Sequence, residues 1–210
     1  MTSNNPANSF YHRTSVAVLL MAALSLGGCG YNDIQASDEG VKSAWSEVLN
    51  QYKRRADLIP NLVETVKGYA AQEKDVLTSV TEARAKASQT QINIDPANPA
   101  ALKQFDQAQA GMSSALSRLL VTVEKYPELK SDANFRELQA QLEGTENRIG
   151  VARKRYIDSV RGYNTLIRQI PVNLTAMVMG YKEKPQFSVA NEEEIKQAPK
   201  VDFNKPAAAK

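Results

Sequence analysis

The sequence predicts an all-α protein, an antiparallel up-and-down four-helix bundle followed by an extended C-terminal tail. Apolar residues recur at helical spacing in three long stretches between residues 38 and 170. No stretch shows the strict apolar–polar alternation that is typical of a half-buried strand. Two of the stretches end at a proline, Pro127 and Pro171. The 210 residues are also a suitable length for one domain.

Residues 1–28 have the pattern of a signal peptide. A polar start is followed by the uncharged and mainly apolar run 15–26. An α-helix of this length covers about 18 Å, whereas the hydrocarbon core of a bilayer is about 30 Å thick. We therefore predict a cleaved signal and not a spanning helix.

Cys29 follows Leu26-Gly27-Gly28, a pattern that resembles a bacterial lipobox. We expect cleavage before Cys29 and a diacylglyceryl thioether on its sulfur. One acyl chain binds a bilayer only marginally, so the two or three chains of such a residue would anchor the protein stably. Gly30 at the next position favours the outer membrane, with the protein on the periplasmic face, if the cell is Gram-negative. Residues 29–37 are predicted to be the lipidated N-terminus and a tether.

The composition excludes several function classes. His12 is the only histidine and lies in the predicted signal, and Cys29 is the only cysteine. A mature chain without imidazole or free thiol cannot use a Ser-His-Asp or Cys-His mechanism, and it lacks the ligands of ordinary zinc and copper sites. The formal net charge of +3 is too balanced for a dedicated nucleic-acid binder. We predict a protein that is not an enzyme and has no metal, cofactor or nucleic-acid partner.

The first helical stretch runs from Asp38 to Ser88, and two conformations of the chain are possible at Pro60. Its apolar column continues in phase through Pro60, so one kinked helix is an alternative, with three long helices in total. A proline inside a helix costs about 3 kcal/mol, because it removes a hydrogen bond and clashes with the carbonyl of Ala56. A straight helix would also leave residues 38–58 projecting beyond the other helices. We therefore favour a fold-back at residues 57–60, which makes four helices.

The second stretch has clear ends, with Asn98 as a predicted N-cap, Pro99 as the first helical residue and a stop at Pro127. The third begins at Ser131 or Asp132 and ends before Pro171. Residues 171–210 are predicted to be a short apolar helix between positions 172 and 181 and then an extended or disordered tail. Isolated apolar residues punctuate that tail at Phe187, Val201 and Phe203.

Two segments resemble the LemA family. The first spans residues 44–69 and contains the specific block Arg54-Arg55-x-Asp57-Leu58-Ile59-Pro60-Asn61-Leu62-Val63. The second includes Tyr163-Asn164, Pro171-x-Asn173-Leu174, Gly180-Tyr181, Phe187 and Pro199-Lys200-Val201-Asp202-Phe203. The match covers nearly all of residues 31–203.

The resemblance implies a membrane-attached bacterial envelope protein with a four-helix up-and-down bundle, here over residues 38–170. The role of the family is mostly undefined, no catalytic residues come with it, and some relatives are linked to the assembly of organelle-like membranes. Many members of the family are anchored in the membrane by an N-terminal transmembrane helix. This chain departs from them because it is predicted to use a lipid on Cys29.

Arg55, Asp57 and Asn61 are the candidate site residues. Arg55 occupies an otherwise apolar column, so an acidic partner should lie within reach if its side chain points inward. In one interpretation the three residues form a polar niche for a ligand beside the carbonyl that Pro60 frees. In the other, Asp57 caps a helix that begins at Pro60 and Arg55 extends outward to solvent.

These observations predict a membrane-anchored envelope lipoprotein that acts as a non-enzymatic scaffold or adaptor. Its expected partners are the membrane, through the N-terminal lipid, and other envelope proteins, through a bundle face or the C-terminal tail. A second copy of the chain is a further candidate partner. The first alternative is a bundle that binds a lipid or small molecule near Pro60. The second is an enzyme that uses only carboxylates and tyrosines.

Overall fold

The structure, a computed structural model, describes residues 30–92 and 94–187. Within these ranges the chain forms helices and no strand, which confirms the predicted all-α class. In chain order the helices are α1 (Tyr31–Tyr69), α2 (Lys74–Ile92), α3 (Pro99–Val123), α4 (Pro127–Ser131), α5 (Ala133–Leu166) and α6 (Val172–Met179). Cys29 and the tail from residue 188 onward lie outside the described residues.

The longest helices, α1 and α5, pair antiparallel along their whole lengths. The Tyr69 hydroxyl donates to Asp132 at 3.1 Å at one end, and the Arg55 guanidinium donates to Glu146 at 2.7 Å near the middle. The 39 residues of α1 and the 34 residues of α5 span about 58 Å and about 51 Å at 1.5 Å per residue. This pair extends along the whole length of the bundle.

The shorter helices α2 and α3 form an antiparallel hairpin that packs beside this pair. The side chain of Asn98 accepts from the amide of Ala100 at 2.9 Å and caps α3, as predicted. At the opposite end of the hairpin, the Tyr126 hydroxyl donates to Glu73 at 2.8 Å. The four long helices therefore make an up-and-down bundle, and α4 is a single turn that connects α3 to α5.

The predicted fold-back at residues 57–60 is wrong, because α1 continues through Pro60 and ends at Tyr69. The chain turns instead at residues 70–73, so the alternative of three long helices is not adopted either. A donor from α2 explains the continuity: Arg84 Nε donates to the Ala56 carbonyl at 2.8 Å and replaces the amide that Pro60 lacks. The first half of α1 does not project alone, because α5 runs beside it as far as Leu166.

Two apolar cores lie one after the other along the bundle. The first, here called the termini core, is centred on Ile34, Trp45, Tyr52, Phe105, Tyr156 and Tyr163. The second, here called the hairpin core, is centred on Ile59, Leu62, Val80, Met112, Leu119 and Phe135. Arg55 lies between them on α1. Along α1, Val48, Arg55 and Leu62, spaced seven residues apart, therefore lie in one apolar core, in a charged layer and in a second apolar core.

Both described ends of the chain lie at the termini core. Residues 31–37, predicted to be a tether, form the first two turns of α1. Gly30 has φ of +126° and lies so close to α6 that a Cβ on it would come within 2.7 Å of Val172 Cγ2. Only glycine has both this backbone freedom and this small size.

The segment after α6 packs against the bundle. Asn164 holds its backbone twice, accepting from the Lys184 amide at 2.8 Å and donating to the Lys184 carbonyl at 2.9 Å. The Phe187 ring packs on Trp45 and Tyr156, with ring centroids 5.8 Å and 5.4 Å apart. The predicted short helix is therefore present as α6. The first part of the predicted tail, residues 182–187, is non-helical and closes the termini core.

Candidate functional site

The Arg55 side chain points inward and is only 2% exposed. Its guanidinium donates to Glu146 at 2.7 Å, to Ser113 Oγ at 3.1 Å and to Gln109 Oε1 at 2.8 Å. Glu146 on α5 is the acidic partner that the sequence requires for an inward arginine. The interpretation in which Arg55 extends outward is wrong. This layer, with Arg55 at its buried centre, instead joins α1 to both α3 and α5.

A second ion pair lies beside this layer on the same groove. Arg153 on α5 donates to Asp106 on α3 at 2.5 Å and to the Tyr52 hydroxyl at 3.0 Å. Burial alone would lower the pKa of Arg153, but Tyr52 and Asp106 more than offset it, so that pKa is raised. Burial also raises the pKa of Tyr52, although Arg153 opposes the effect.

The groove between α3 and α5 encloses about 320 Å³, and both ion pairs line it. Each guanidinium there already contacts a carboxylate of the protein. The arrangement suits holding three helices in register, because its charges are paired with one another. Sequence reasoning anticipated the partner of Arg55 but missed the Arg153–Asp106 pair.

The structure does not bring the three predicted niche residues together. Asp57 and Asn61 are exposed, while Arg55 is buried among other helices. Asp57 caps no helix, because α1 continues through Pro60. It lines a different groove, between α1 and α2, which encloses about 460 Å³ and also contains Ile92. The carbonyl that Pro60 frees is occupied by Arg84.

The predicted lipidation residue, Cys29, precedes the described part of the chain by one residue. The structure does show what surrounds the next position, since Gly30 is in contact with Val172 of α6. An apolar surface lies on the exposed side of this region, and we call it the α6 apolar surface. It consists of Ile170, Leu174, Met177, Val178 and Met179. Sequence reasoning identified α6 as apolar but assigned it no role; its lack of charged residues was the available indication.

An ion pair holds the C-terminal segment against α1. Lys184 lies 2.8 Å from Asp38 on α1, and Lys42 approaches the same carboxyl at 2.8 Å. Burial tends to raise the pKa of Asp38, but the contacts with Lys184 and Lys42 prevail and lower that pKa below its ordinary value. This fastening was also missed, because it joins residues far apart in sequence.

Within residues 30–92 and 94–187, no helix combines the length and hydrophobicity needed to cross a membrane. In the same part of the chain, no group of three or more His, Cys, Asp or Glu side chains is placed to hold a metal ion. The fold and its sites thus define a helical bundle with internally paired charges, whose described chain ends meet at one pole beside an exposed apolar surface.

The chain belongs to the LemA family, whose sequence profile matches residues 44–203. The magnetosome protein MamQ of Magnetospirillum gryphiswaldense is 28% identical over 174 residues, which cover 75% of this chain and 61% of the relative. Magnetosome protein MamQ 2 of Paramagnetospirillum magneticum is 25% identical over 178 residues, covering 75% of this chain and 64% of the relative. The chain therefore spans less than two thirds of the length of these two relatives.

Protein LemA of Metamycoplasma hominis is 21% identical over 165 residues, which cover 78% of this chain and 71% of that protein. The family match includes α1 from Ala44 onward, the Arg55 layer, α6 and the C-terminal segment. The resemblance inferred from the two sequence segments is therefore confirmed.

Proposed function

We propose that this protein is a bacterial envelope lipoprotein, anchored through Cys29, that acts as a non-enzymatic scaffold or adaptor. The observation that carries the proposal is that the folded bundle begins directly after Cys29 in sequence: α1 begins at Tyr31, and Gly30 is already packed on α6. A lipid on Cys29 would therefore hold the bundle itself at the bilayer, without an intervening flexible linker.

The anchored bundle would present its surfaces at set distances from the membrane. The α1–α5 pair extends about 58 Å from the end next to Cys29 to the turn at residues 70–73. The tail beyond residue 187 would leave from the side of the termini core, where Phe187 is docked. We propose that a bundle face and this tail contact other envelope proteins or a second copy of the chain. The similarity to proteins named for the magnetosome supports a role in an assembly.

The anchor is tested by Cys29→Ala in the full chain. We expect the variant to lose metabolic acyl labelling and to keep its signal peptide, whose apolar run 15–26 would hold it in the inner membrane instead of the outer-membrane fraction proposed for the wild type. Ser46→Ala, on the exposed surface of α1, is a suitable control that should be processed and acylated as in the wild type. Unchanged processing, labelling and fractionation of Cys29→Ala would show that the proposed anchor is wrong. The outer membrane and its periplasmic face are the proposed location, and fractionation of the wild type tests this too.

The adaptor role is tested by in-cell crosslinking from the bundle and from the tail, followed by identification of the neighbours. The informative truncation ends the chain after Phe187, because residues 181–187 close the termini core and have to stay. We expect the truncated chain to remain in the membrane and to lose some of its crosslinked partners. If the two chains gave identical partners, the tail would not be a contact.

A second candidate function is the binding of a lipid or small molecule. The groove between α1 and α2 favours it, since it encloses about 460 Å³ and has apolar walls at Leu49, Ala56 and Ile92. Native mass spectrometry of the purified protein tests this candidate. A bound mass that disappears in Ser88→Gln, which places a larger side chain on the partly exposed wall of the groove, supports it, and a protein that always purifies empty contradicts it.

A further inference from the structure

We propose that the α6 apolar surface lies in the interfacial region of the bilayer and forms a second membrane contact beside the lipid anchor. The inference rests on the anchoring proposed above and deepens it. It assigns a role to α6 and specifies which end of the bundle touches the membrane.

The first observation is the exposure of this surface. Its five apolar side chains, Ile170, Leu174, Met177, Val178 and Met179, are between 57% and 84% exposed. The eight residues of α6 include no charged side chain. Single exposed apolar residues are ordinary on a soluble protein, but a contiguous group of large ones marks an interaction surface.

The second observation is that α6 packs one side against the bundle and leaves the other side, which is also apolar, exposed. Val172, Thr175 and Ala176 are buried against the bundle, whereas Leu174, Met177 and Val178 face outward. The helix is closed by Gly180, which has φ of +74°, and the Tyr181 amide donates to the Ala176 carbonyl at 2.9 Å. The apolar surface is thus presented by a fixed element whose other side belongs to the termini core.

The third observation selects the bilayer as the occupant. Cys29 is the residue directly before the described part of the chain. The next residue, Gly30, contacts Val172 on α6. Acyl chains on Cys29 would therefore enter the membrane immediately beside α6. A docked protein would have to cover a surface that the anchor already holds at the lipid.

The surroundings of the surface fit an interfacial position. Tyr31, the first residue of α1, is partly exposed at the same end, and tyrosine favours the headgroup level of a bilayer. Arg168 and Lys182 flank α6 in sequence and are exposed, so their cationic groups can reach anionic headgroups. Glu183 lies 3.3 Å from Arg168 and offsets part of this positive charge. The apolar side chains supply the main contact, and the basic ones support it.

The test uses the acylated full chain in vesicles of phosphatidylethanolamine and phosphatidylglycerol whose acyl chains are brominated. Bromine quenches tryptophan only at short range. Trp45, the single native tryptophan, is buried and supplies the baseline. Val178→Trp places a reporter on the surface. Val121→Trp is the matched control, because Val121 is 69% exposed near the end of α3, at the opposite end of the bundle.

The fluorescence of Val178→Trp beyond the Trp45 baseline comes from the introduced indole. We expect this fluorescence to be weaker by about twofold or more in brominated vesicles than in unbrominated ones, as for a helix face buried at the acyl boundary. Emission added by Val121→Trp should not change. Leu174→Trp repeats the reading at a second position, in case position 178 alone lies at the edge of the contact.

Flotation of the same samples separates the two proposals. If all chains float with the vesicles but neither surface reporter is quenched, the anchor stands and this inference is overturned. Blue-shifted but unquenched emission at both surface positions would also overturn it, because it would mean that a second copy or the C-terminal tail covers the surface. If the chains do not float, the anchor is wrong and this inference falls with it.

Discussion

The two cores of the bundle are built differently. The termini core is rich in aromatic residues and is closed by segments from both described ends of the chain, with Phe187 packed against Trp45. The hairpin core is mostly aliphatic and is closed by consecutive elements, α2, α3 and α4. Its buried residues all lie between Ile59 and Phe135, whereas the termini core joins residues 34–52 to residues 149–187, more than a hundred positions away for most pairs. The half of the bundle next to the proposed membrane contact is thus the one that depends on long-range closure.

The Arg55 layer separates the cores and also links them. Its hydrogen bonds reach α3 and α5 from α1, so the same side chain ties together the helices that both cores share. Since α1 and α5 are continuous through both halves, the halves should unfold together despite their different construction.

The largest effects are expected from removing a large side chain from either core. Trp45→Ala in the termini core and Phe135→Ala in the hairpin core should each lower the free energy of unfolding by about 3–5 kcal/mol. Both side chains are buried, so the lost apolar contact and the cavity act together. Denaturant unfolding followed by circular dichroism measures the loss. In Phe135→Ala, Trp45 fluorescence should change at the same denaturant concentration as the helical signal. Two separate transitions would break the idea of one cooperative bundle.

A smaller effect is expected where Arg84 of α2 contacts the Ala56 carbonyl of α1. Arg84→Met leaves the Ala56 carbonyl without its side-chain donor and should cost about 1–3 kcal/mol. In the background of Pro60→Ala, residue 60 regains its amide and can donate to that carbonyl, so the cost of Arg84→Met should become smaller. A double-mutant cycle on the free energy of unfolding measures this coupling. Equal costs in the two backgrounds would mean that Arg84 does not compensate for the proline.

The Arg55 layer offers a prediction about which partner matters. Glu146→Gln should cost less than about 1 kcal/mol, because its side chain is 60% exposed and water screens the ion pair. Gln109→Leu should cost about 1–3 kcal/mol, because it removes a buried acceptor from a buried guanidinium. Thermal or denaturant unfolding compares the two variants. A larger loss for Glu146→Gln would show that the carboxylate dominates the layer.

The smallest effect is the dependence of the C-terminal closure on pH. The folded-state pKa of Asp38 lies below its ordinary value of 3.8, so its contribution to stability is present above that value and is lost as pH falls through the folded pKa. Protonation weakens the contact with Lys184, which should loosen Phe187 from Trp45. Trp45 fluorescence followed from pH 6 down to pH 2 should show a step below about 4.

Asp38→Asn should remove that acid step and reduce the closure at neutral pH. Asp158→Asn is the matched control, since the pKa of Asp158 is also lowered, chiefly by Lys154, but its pair is solvent-exposed on α5. That variant should keep the acid step of the wild type. A step that persists in Asp38→Asn would assign it to another carboxyl group.

The part of the fold that the sequence predicts follows from local chemistry. The helical class comes from apolar periodicity, and the start of α3 from an asparagine cap followed by Pro99. The first turn was misplaced because the local cost of Pro60 is visible in the sequence, whereas its compensation by Arg84 depends on tertiary packing. The docking of Phe187 was missed for a similar reason, since a single aromatic residue in a polar segment has no periodicity to reveal its partner.

The candidate site was predictable only in part. A charge in an apolar column requires a partner, so an inward Arg55 predicts an acidic residue nearby, but not that Glu146 supplies it. Asp57 and Asn61 lie close to Arg55 in sequence but extend from other sides of α1, so proximity along the chain did not become proximity in space. The α6 apolar surface depends on tertiary structure, because only the packed fold shows which side of α6 stays exposed.

The most direct test of the account compares the distances of the two ends of the bundle from the bilayer. Single cysteines are introduced by Gln169→Cys, between α5 and α6, and by Ser131→Cys, at the end of α4, and are labelled with a maleimide donor. Unaltered protein, with Cys29 acylated, should take up no label. Energy transfer to an acceptor at the vesicle surface should be strong from position 169 and weak from position 131, since α5 places about 51 Å between them. Equal transfer from both positions would contradict a bundle that meets the membrane at its termini core.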